Sequence, residues 1–133
     1  MLFGVGVDIE DHNRFLKFQR SKDNIKYLLS IFTEKELNNY SKFNTHLSFA
    51  ISFCCKESFF KAFGVSWNNS HIQWKDIELV FADSPEQKIA SVFFSGYAKE
   101  LIVSNNLIYP PYFDYTITES SIIFESILVC KTK

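Results

Sequence analysis

The sequence has few of the features that mark secreted or membrane-spanning proteins. Its 133 residues include three cysteines, and no two of them have the C-x-x-C spacing of a structural zinc site. An odd number of cysteines, two of them adjacent, does not suit the even disulfide framework of a small secreted domain. No run of 18 apolar residues is present to span a membrane.

Basic charge and a leader pattern are also lacking. The formal net charge is −1 and the pI is near 6.3, whereas a nucleic-acid-binding domain usually has a basic excess. Met1–Glu10 contains acids and no basic stretch before an apolar run, so it does not have the pattern of a signal peptide. These features predict a cytoplasmic protein that contacts neither nucleic acid nor a membrane.

Aromatic and apolar residues are abundant instead. Fifteen phenylalanines contribute to an aromatic content of 17%, and hydrophobic residues make up 47% of the chain. This composition is typical of a folded core and excludes intrinsic disorder. The length fits a single domain, which we expect to span residues 1–133.

Hydrophobic periodicity predicts a mixture of strands and helices. Alternation of apolar with polar or small residues predicts strands over 2–9, 74–81, 88–95, 112–118 and 121–131. Capping residues and helical spacing predict a short helix after Asp11, one from Thr33 to about Tyr40, one from about Thr45 to Gly64, and one over 96–106. Because parallel β-α-β units do not repeat, we expect an α+β fold.

The longest predicted helix carries an unexpected carboxylate. At about 100° per residue, Phe49, Phe53 and Phe60 share an apolar face, and Glu57 lies in the middle of that face. An ionised carboxylate among phenylalanine rings is unfavourable unless a cation or hydrogen-bond donors meet it. One interpretation, which helix geometry alone favours, is an ordinary i,i+4 pair with Lys61 on a partly exposed face. The other interpretation is a functional site.

Asp8 is the second unexpected residue, because aspartate is unfavourable near the end of an apolar strand. It is interpreted either as a turn or cap residue for the helix that follows, or as part of a site. Asp8 and Glu57 with Lys61 nearby have the chemistry of a Mg²⁺ site, since that ion takes few carboxylates and completes its shell with water and phosphate oxygens.

Four motifs then occur in a fixed order along the chain. They are G-x-D at Gly6–Asp8, F-T-x-x-E at Phe32–Glu36, K-E-x-x-x-K at Lys56–Lys61 and W-x-D-I-E at Trp74–Glu78. In order, spacing and chain length, this set resembles the holo-acyl-carrier-protein synthase family, the small type of 4′-phosphopantetheinyl transferase. The resemblance runs from the N-terminus to the last predicted hairpin.

The resemblance implies an α+β 4′-phosphopantetheinyl transferase fold, with an antiparallel sheet packed against a long helix and shorter helices. It implies an enzyme that transfers the 4′-phosphopantetheine arm of coenzyme A to a serine of apo acyl carrier protein, in support of fatty acid synthesis. The implied reaction depends on Mg²⁺ and releases adenosine 3′,5′-bisphosphate. The implied assembly is a homotrimer whose neighbouring subunits hold coenzyme A between them.

The same resemblance implies roles for individual residues. Asp8 and Glu57 match the family's Mg²⁺ ligands and Lys61 matches the lysine that faces the phosphates, so these three are the expected catalytic residues. Arg14 matches a position that contacts the acidic helix of the carrier protein. Contacts with coenzyme A are expected from Lys56, Lys61, Gly64, Thr116 and Thr118. The acceptor of the serine proton stays open between a metal-activated water, Glu57 and Lys61.

Two positions depart from the family pattern. Ser52 stands where the family often has arginine, and Glu119 stands where it usually has histidine, although Thr116 and Thr118 keep two hydroxyls in the last segment. These departures leave open an alternative, a non-catalytic or divergent relative that binds carrier protein. A transferase for the carrier domains of polyketide or peptide synthases is a further alternative, because the sequence around Arg14 does not decide the partner.

Overall fold

The computed structural model describes residues 1–19, 25–65 and 71–132. The strands are β1 (Leu2–Asp11), β2 (Ile77–Phe81), β3 (Ala90–Phe94), β4 (Tyr112–Ile117) and β5 (Ser121–Val129). The α-helices are α1 (Ile25–Ile31), α2 (Glu34–Tyr40), α3 (Thr45–Phe63) and α4 (Gly96–Ser104). Short 3-10 helices cover His12–Gln19, Trp74–Asp76 and Pro85–Gln87. No helix in these ranges combines the length and apolar character needed to cross a membrane.

The strands form two antiparallel sheets. β5 lies between β1 and β4, with Asp8 opposite Phe124 and Phe124 opposite Tyr115. β2 and β3 form a separate hairpin, and β4 and β5 form another, in agreement with the sequence pattern. Antiparallel sheets combined with helices confirm the predicted α+β class.

Local capping sets the boundaries of two helices. α2 begins with the predicted capping box, because the Thr33 hydroxyl accepts from the Glu36 backbone and the Glu36 carboxylate accepts from the Thr33 backbone, both at 3.1 Å. α3 is capped by the Asn44 side chain rather than by Thr45. It ends at Gly64, whose φ of +78° stops the helix as predicted.

α3 is the central element of the core. Residues around its whole circumference are buried, so the prediction of a single apolar face was too narrow. β1 and β5 pack on one side of the helix, while α2 and β2 pack on another. Aromatic rings fill these interfaces, with Phe59 packing edge-on against Phe94 at 5.2 Å and Phe60 against Trp74 at 5.0 Å between centroids.

β1 lies directly on the backbone of α3, because its inward positions are glycines. A Cβ on Gly4 would lie 1.8 Å from the Ala62 carbonyl oxygen, and one on Gly6 would lie 1.7 Å from that of Ser58. Neither position has space for a side chain. Since strand side chains alternate, Asp8 is the next inward residue of β1 and faces α3 in turn.

Candidate functional site

The close contact between β1 and α3 forms an ion pair between Asp8 and Lys61. The Lys61 ammonium lies 3.1 Å from Asp8 Oδ1 and donates to the Val7 carbonyl at 2.8 Å. Asp8 is only 8% exposed, whereas the Lys61 side chain is half exposed. Within the described ranges, Lys61 forms its ion pair with Asp8 and not with Glu57. The simple i,i+4 pair on the helix surface is therefore not the arrangement that the structure shows.

The second oxygen of Asp8 has no donor. Oδ2 is buried, and no group in the described part of the chain donates a hydrogen bond to it. Asp8 lies inside β1, whereas Asp11 at the strand end accepts from the backbone of Asn13 at 2.9 Å. The cap interpretation thus applies to Asp11. A buried carboxylate oxygen without a donor is unfavourable unless a cation meets it.

Glu57 lies beside this pair and is about half-buried. Burial raises the pKa of Glu57 and the neighbouring Asp8 charge raises it further, while Lys61 and Arg14 oppose the shift. The effect of Asp8 on Glu57 means that the carboxylates of β1 and α3 are close enough to repel each other. The structure therefore brings Asp8, Glu57 and Lys61 to one place.

Glu10 is a third carboxylate of this group and was not among the residues expected from the sequence. Burial raises its pKa to about 7, with Arg14 opposing the shift and the charges of Asp8 and Glu57 adding to it. The sequence did contain a signal for Glu10, because residues two apart in a strand share a face. We name Asp8, Glu10, Glu57 and Lys61 the carboxylate cluster.

Arg14 forms the outer edge of the carboxylate cluster. Its guanidinium donates to Glu10 at 2.7 Å and lies over the rings of Phe15 and Phe53, 5.1 and 5.3 Å from their centroids. About half of the Arg14 side chain stays exposed. Beside it lies a groove of about 320 Å³, lined by Tyr27, Ser30, Ile31, Phe53, Glu57 and Trp74. Glu57 is thus accessible from a largely aromatic groove.

Lys56 does not reach the carboxylate cluster, although a contact with coenzyme A was expected of it. Its side chain is fully buried and its ammonium donates to Glu36 at 2.9 Å and to the carbonyls of Trp74 and Ile77. All three of its protons have acceptors. The expectation is corrected, since a buried ammonium with a complete set of partners has no surface to offer a ligand.

The other expected contacts lie on different parts of the fold. Gly64 follows α3, one turn beyond Lys61. Thr116 is exposed on the face of the sheet opposite to Asp8, because its neighbour Tyr115 is the residue in line with Asp8 and strand side chains alternate. The Thr118 hydroxyl accepts from the backbone of Ser121 at 2.9 Å in the β4–β5 turn. One chain alone does not bring Thr116 to the carboxylate cluster.

The donor set of the cluster fits Mg²⁺. In the described ranges, no three histidine, cysteine, aspartate or glutamate side chains are arranged so that they could hold a metal ion together. Mg²⁺ needs no such set, because it is bound through one or two carboxylates and keeps water and phosphate oxygens for the rest of its shell. The donor-free oxygen of Asp8, with Glu57 close by, offers that kind of partial site.

Comparison with known proteins adds independent information. A model of the 4′-phosphopantetheinyl transferase superfamily matches residues 4–117. The holo-[acyl-carrier-protein] synthase of Geotalea daltonii is 38% identical over 81 residues, which are 60% of this chain and 63% of that protein. The holo-[acyl-carrier-protein] synthase of Limosilactobacillus reuteri is 30% identical over 98 residues, which are 74% of this chain and 83% of that protein. The chain thus spans less than two thirds of the Geotalea relative's length.

Solved structures show the same fold. The holo-[acyl-carrier-protein] synthase from Neisseria meningitidis superposes with a TM-score of 0.79 at 17% identity, covering 97% of this chain and 99% of that one. The corresponding protein from Bacillus anthracis, solved in complex with CoA (3′,5′-ADP), has a TM-score of 0.73 at 21% identity, covering 98% and 99%. At these identities the likeness confirms the fold.

Proposed function

This chain belongs to the 4′-phosphopantetheinyl transferase superfamily, and we propose that it transfers the 4′-phosphopantetheine arm of coenzyme A to a serine of apo acyl carrier protein. Adenosine 3′,5′-bisphosphate is the second product. The observation that carries the proposal is the convergence of Asp8, Glu57 and Lys61, with one Asp8 oxygen buried and free of donors. Relatives named as holo-[acyl-carrier-protein] synthases support the choice of substrate class.

Asp8 and Glu57 are the residues that would hold Mg²⁺. Their carboxylates come from two different elements, and the contact of Gly6 with α3 sets the spacing between those elements. When bound, Mg²⁺ offsets the negative charge that builds up on the diphosphate oxygens as the phosphoryl group transfers. Glu10 lies close to Asp8 and Glu57, and its ionised form would add to the attraction for a cation.

Lys61 supplies a fixed positive charge beside these carboxylates. Its Nζ donates to the Val7 carbonyl and to the Asp8 carboxylate, which hold it at the edge of the cluster. This arrangement favours Lys61 as a partner of the substrate phosphates over Lys61 as the acceptor of the serine proton. Its half-exposed side chain leaves room for a phosphate oxygen to approach.

Arg14 is suited to contact an acidic partner. It is half exposed, lies at the rim of the carboxylate cluster, and its guanidinium is held in place by Glu10 and by two aromatic rings. A held arginine loses little side-chain entropy when a carboxylate binds to it. We assign Arg14 to the acidic helix of the carrier protein.

The outward face of the three-stranded sheet supports a homotrimer. It carries exposed apolar side chains on all three strands, namely Val5, Val7, Ile9, Tyr112 and Ile127. We name this set the outer sheet face. The exposed acids Glu125 and Asp114 lie in register with Val7 on the same face, and the apolar side chains on either side of them are stabilised when another surface covers them. We propose that a second copy of this chain does so, which would let Thr116 and Thr118 contact coenzyme A held by a neighbouring subunit.

A transfer assay tests the proposed activity. Apo acyl carrier protein incubated with coenzyme A, Mg²⁺ and this protein is expected to gain the mass of the phosphopantetheine arm, as measured by intact-protein mass spectrometry. A carrier protein whose acceptor serine is replaced by alanine is the control and is expected to gain nothing. Absence of a mass gain at stoichiometric enzyme would contradict the proposal.

The departure at Ser52 does not weaken this proposal. Ser52 is fully buried and its hydroxyl lies 3.0 Å from Glu36 Oε2 and 2.7 Å from the Tyr40 hydroxyl. It is part of the interior and not of a surface that a ligand contacts. The change at Ser52 is therefore no argument for a non-catalytic relative.

A further inference from the structure

A buried ion pair joins α2 to α3. Glu36 and Lys56 are both 0% exposed, and the Lys56 ammonium lies 2.9 Å from Glu36 Oε1. The same oxygen accepts from the backbone of Thr33 at 3.1 Å. These two residues come from two different sequence motifs, F-T-x-x-E and K-E-x-x-x-K, and helix capping alone does not account for the burial of the glutamate.

The second Glu36 oxygen is also fully occupied. Oε2 lies 2.8 Å from the Tyr40 hydroxyl, 3.0 Å from the Ser52 hydroxyl and 3.0 Å from the backbone nitrogen of Leu79. Burial and the Glu36 charge raise the pKa of Tyr40, so its hydroxyl keeps the proton that it donates. Both oxygens of this carboxylate therefore have donors.

Lys56 extends the network to the start of β2. Its ammonium donates to the carbonyls of Trp74 and Ile77 as well as to Glu36. One side chain therefore connects α3 to α2, to the 3-10 helix before β2, and to β2 itself. Lys56 is the residue directly before Glu57 in the sequence.

A buried ion pair of this kind contributes little to the stability of a fold. Desolvating two charges costs free energy that their attraction recovers only in part, and apolar residues of similar volume often replace a buried pair without loss of stability. The pair does fix the orientation of a side chain, because hydrogen bonds to a carboxylate and to two carbonyls hold Lys56 in one position. A helix anchored at residue 56 cannot rotate freely, so the direction of Glu57 is set as well.

We propose that Glu36 and Lys56 are positioning residues that fix the rotation of α3 and thereby aim the Glu57 carboxylate at Asp8. Neither of them contacts substrate or metal. The proposal rests on the function proposed above, because it concerns the residues assigned to the metal. It goes beyond that function by giving the buried residues of two motifs a role in catalysis.

The test compares two variants that each remove contacts between α2 and a neighbouring element. In the double variant Glu36→Gln/Lys56→Met, both charges are removed together, so that no buried charge is left unpaired. The control is Asn39→Ala, because the Asn39 amide holds α2 to β2 through two hydrogen bonds with Phe81, each of 2.9 Å, and these bonds do not involve Glu36 or Lys56. The control thus weakens the packing of α2 while the hydrogen bonds of Lys56 stay in place.

Four quantities are measured on this chain: the melting temperature, Mn²⁺ binding followed by electron paramagnetic resonance, and kcat and KM for transfer. In the double variant, Mn²⁺ affinity and kcat are expected to fall about 10- to 100-fold, since supporting residues of a metal site have effects of that size. The KM for coenzyme A is expected to change by less than about threefold, because contacts with it are untouched. In Asn39→Ala, only the melting temperature is expected to fall.

Mn²⁺ affinity and kcat in the double variant equal to those of Asn39→Ala would overturn the proposal. If the double variant does not fold, Glu36→Gln keeps the shape of that side chain and removes the charge that pairs with Lys56, and an unchanged Mn²⁺ affinity there would overturn it equally. Wild-type protein that binds no Mn²⁺ would instead contradict the metal assignment itself. The two failures are therefore distinguishable.

Discussion

Gly6 of β1 lies so close to Ser58 of α3 that a Cβ on the glycine would be 1.7 Å from the serine carbonyl oxygen. Strand and helix are in contact through their backbones at this point. Asp8 is the next residue of β1 on the same face as Gly6. The close contact therefore brings Asp8 near the helix turn that carries Glu57 and Lys61. The position of the site thus depends on the absence of a side chain two residues away.

Gly6→Ala is expected to lower the free energy of unfolding by about 3 kcal/mol or more, since the added methyl group meets backbone that cannot move aside. The displaced strand would also separate Asp8 from Lys61 and reduce transfer activity. Urea denaturation and the transfer assay measure the two effects. Val5→Ala, which changes the outward face of the same strand, is the control and is expected to cost about 1 kcal/mol or less. A Gly6→Ala protein as stable as wild type would contradict the close contact.

Glu57→Gln is expected to reduce transfer at saturating substrate about 100-fold, because an amide is a weaker Mg²⁺ ligand than a carboxylate. The same variant is expected to melt at a higher temperature than wild type in the absence of divalent cations. The reason is that burial and Asp8 raise the pKa of Glu57, so its ionised form is unfavourable in the folded state at neutral pH.

Glu100→Gln is the matched control for this pair of measurements, because Glu100 is an exposed carboxylate on α4. Neither activity nor melting temperature is expected to change there. A Glu57→Gln protein that keeps full activity would remove Glu57 from the metal site. One that melts below wild type would show that the carboxylate is stabilising and not strained.

Val5→Lys is expected to shift the protein from the proposed trimer to a monomer, because it places a charge beside Ile127 in the apolar part of the outer sheet face. Sedimentation equilibrium measures the oligomeric state. Val103→Lys adds the same charge to an exposed residue of α4 and is expected to leave the assembly intact. A monomeric wild-type protein would exclude the proposed shared site.

The three cysteines are expected to react unequally with a thiol reagent. Cys54 and Cys55 are fully buried, and burial raises the pKa of both thiols well above the usual range, so little reactive thiolate is present. Cys130 is partly exposed. Titration with 5,5′-dithiobis(2-nitrobenzoic acid) is expected to modify one thiol in the native protein and all three in denaturant. Rapid modification of a second native thiol would contradict the burial of α3.

The order of the strands and of most helices could be predicted from the sequence, because period-two and period-3.6 patterns are local properties. The capping box at Thr33 and the stop at Gly64 were predicted for the same reason. The helix α1 was not predicted. The cap of α3 was placed one residue late, since Asn44 and Thr45 are both capable caps and only the backbone conformation selects between them.

The candidate site could be predicted only in part. Asp8 and Glu57 stood out because carboxylates are unusual in apolar surroundings, and the family resemblance connected them. Glu10 was missed although it shares a face with Asp8, and Lys56 was given a surface role. Nothing in the sequence shows that the partner of Lys56 is Glu36, twenty residues away, because the pairing depends on how α2 packs against α3.

By itself, the sequence determined the class of fold and the boundaries of most elements to within a few residues, and it offered the residue types for the proposed metal and phosphate chemistry. Those are consequences of local periodicity, capping and side-chain chemistry. Only the tertiary structure decided which charges meet: Lys61 with Asp8, Lys56 with Glu36, and one Asp8 oxygen with no donor. The physical reason is that burial and charge pairing depend on contacts between segments that are distant in the sequence. Those contacts decide whether a charged side chain is left accessible to a ligand or is buried in the core.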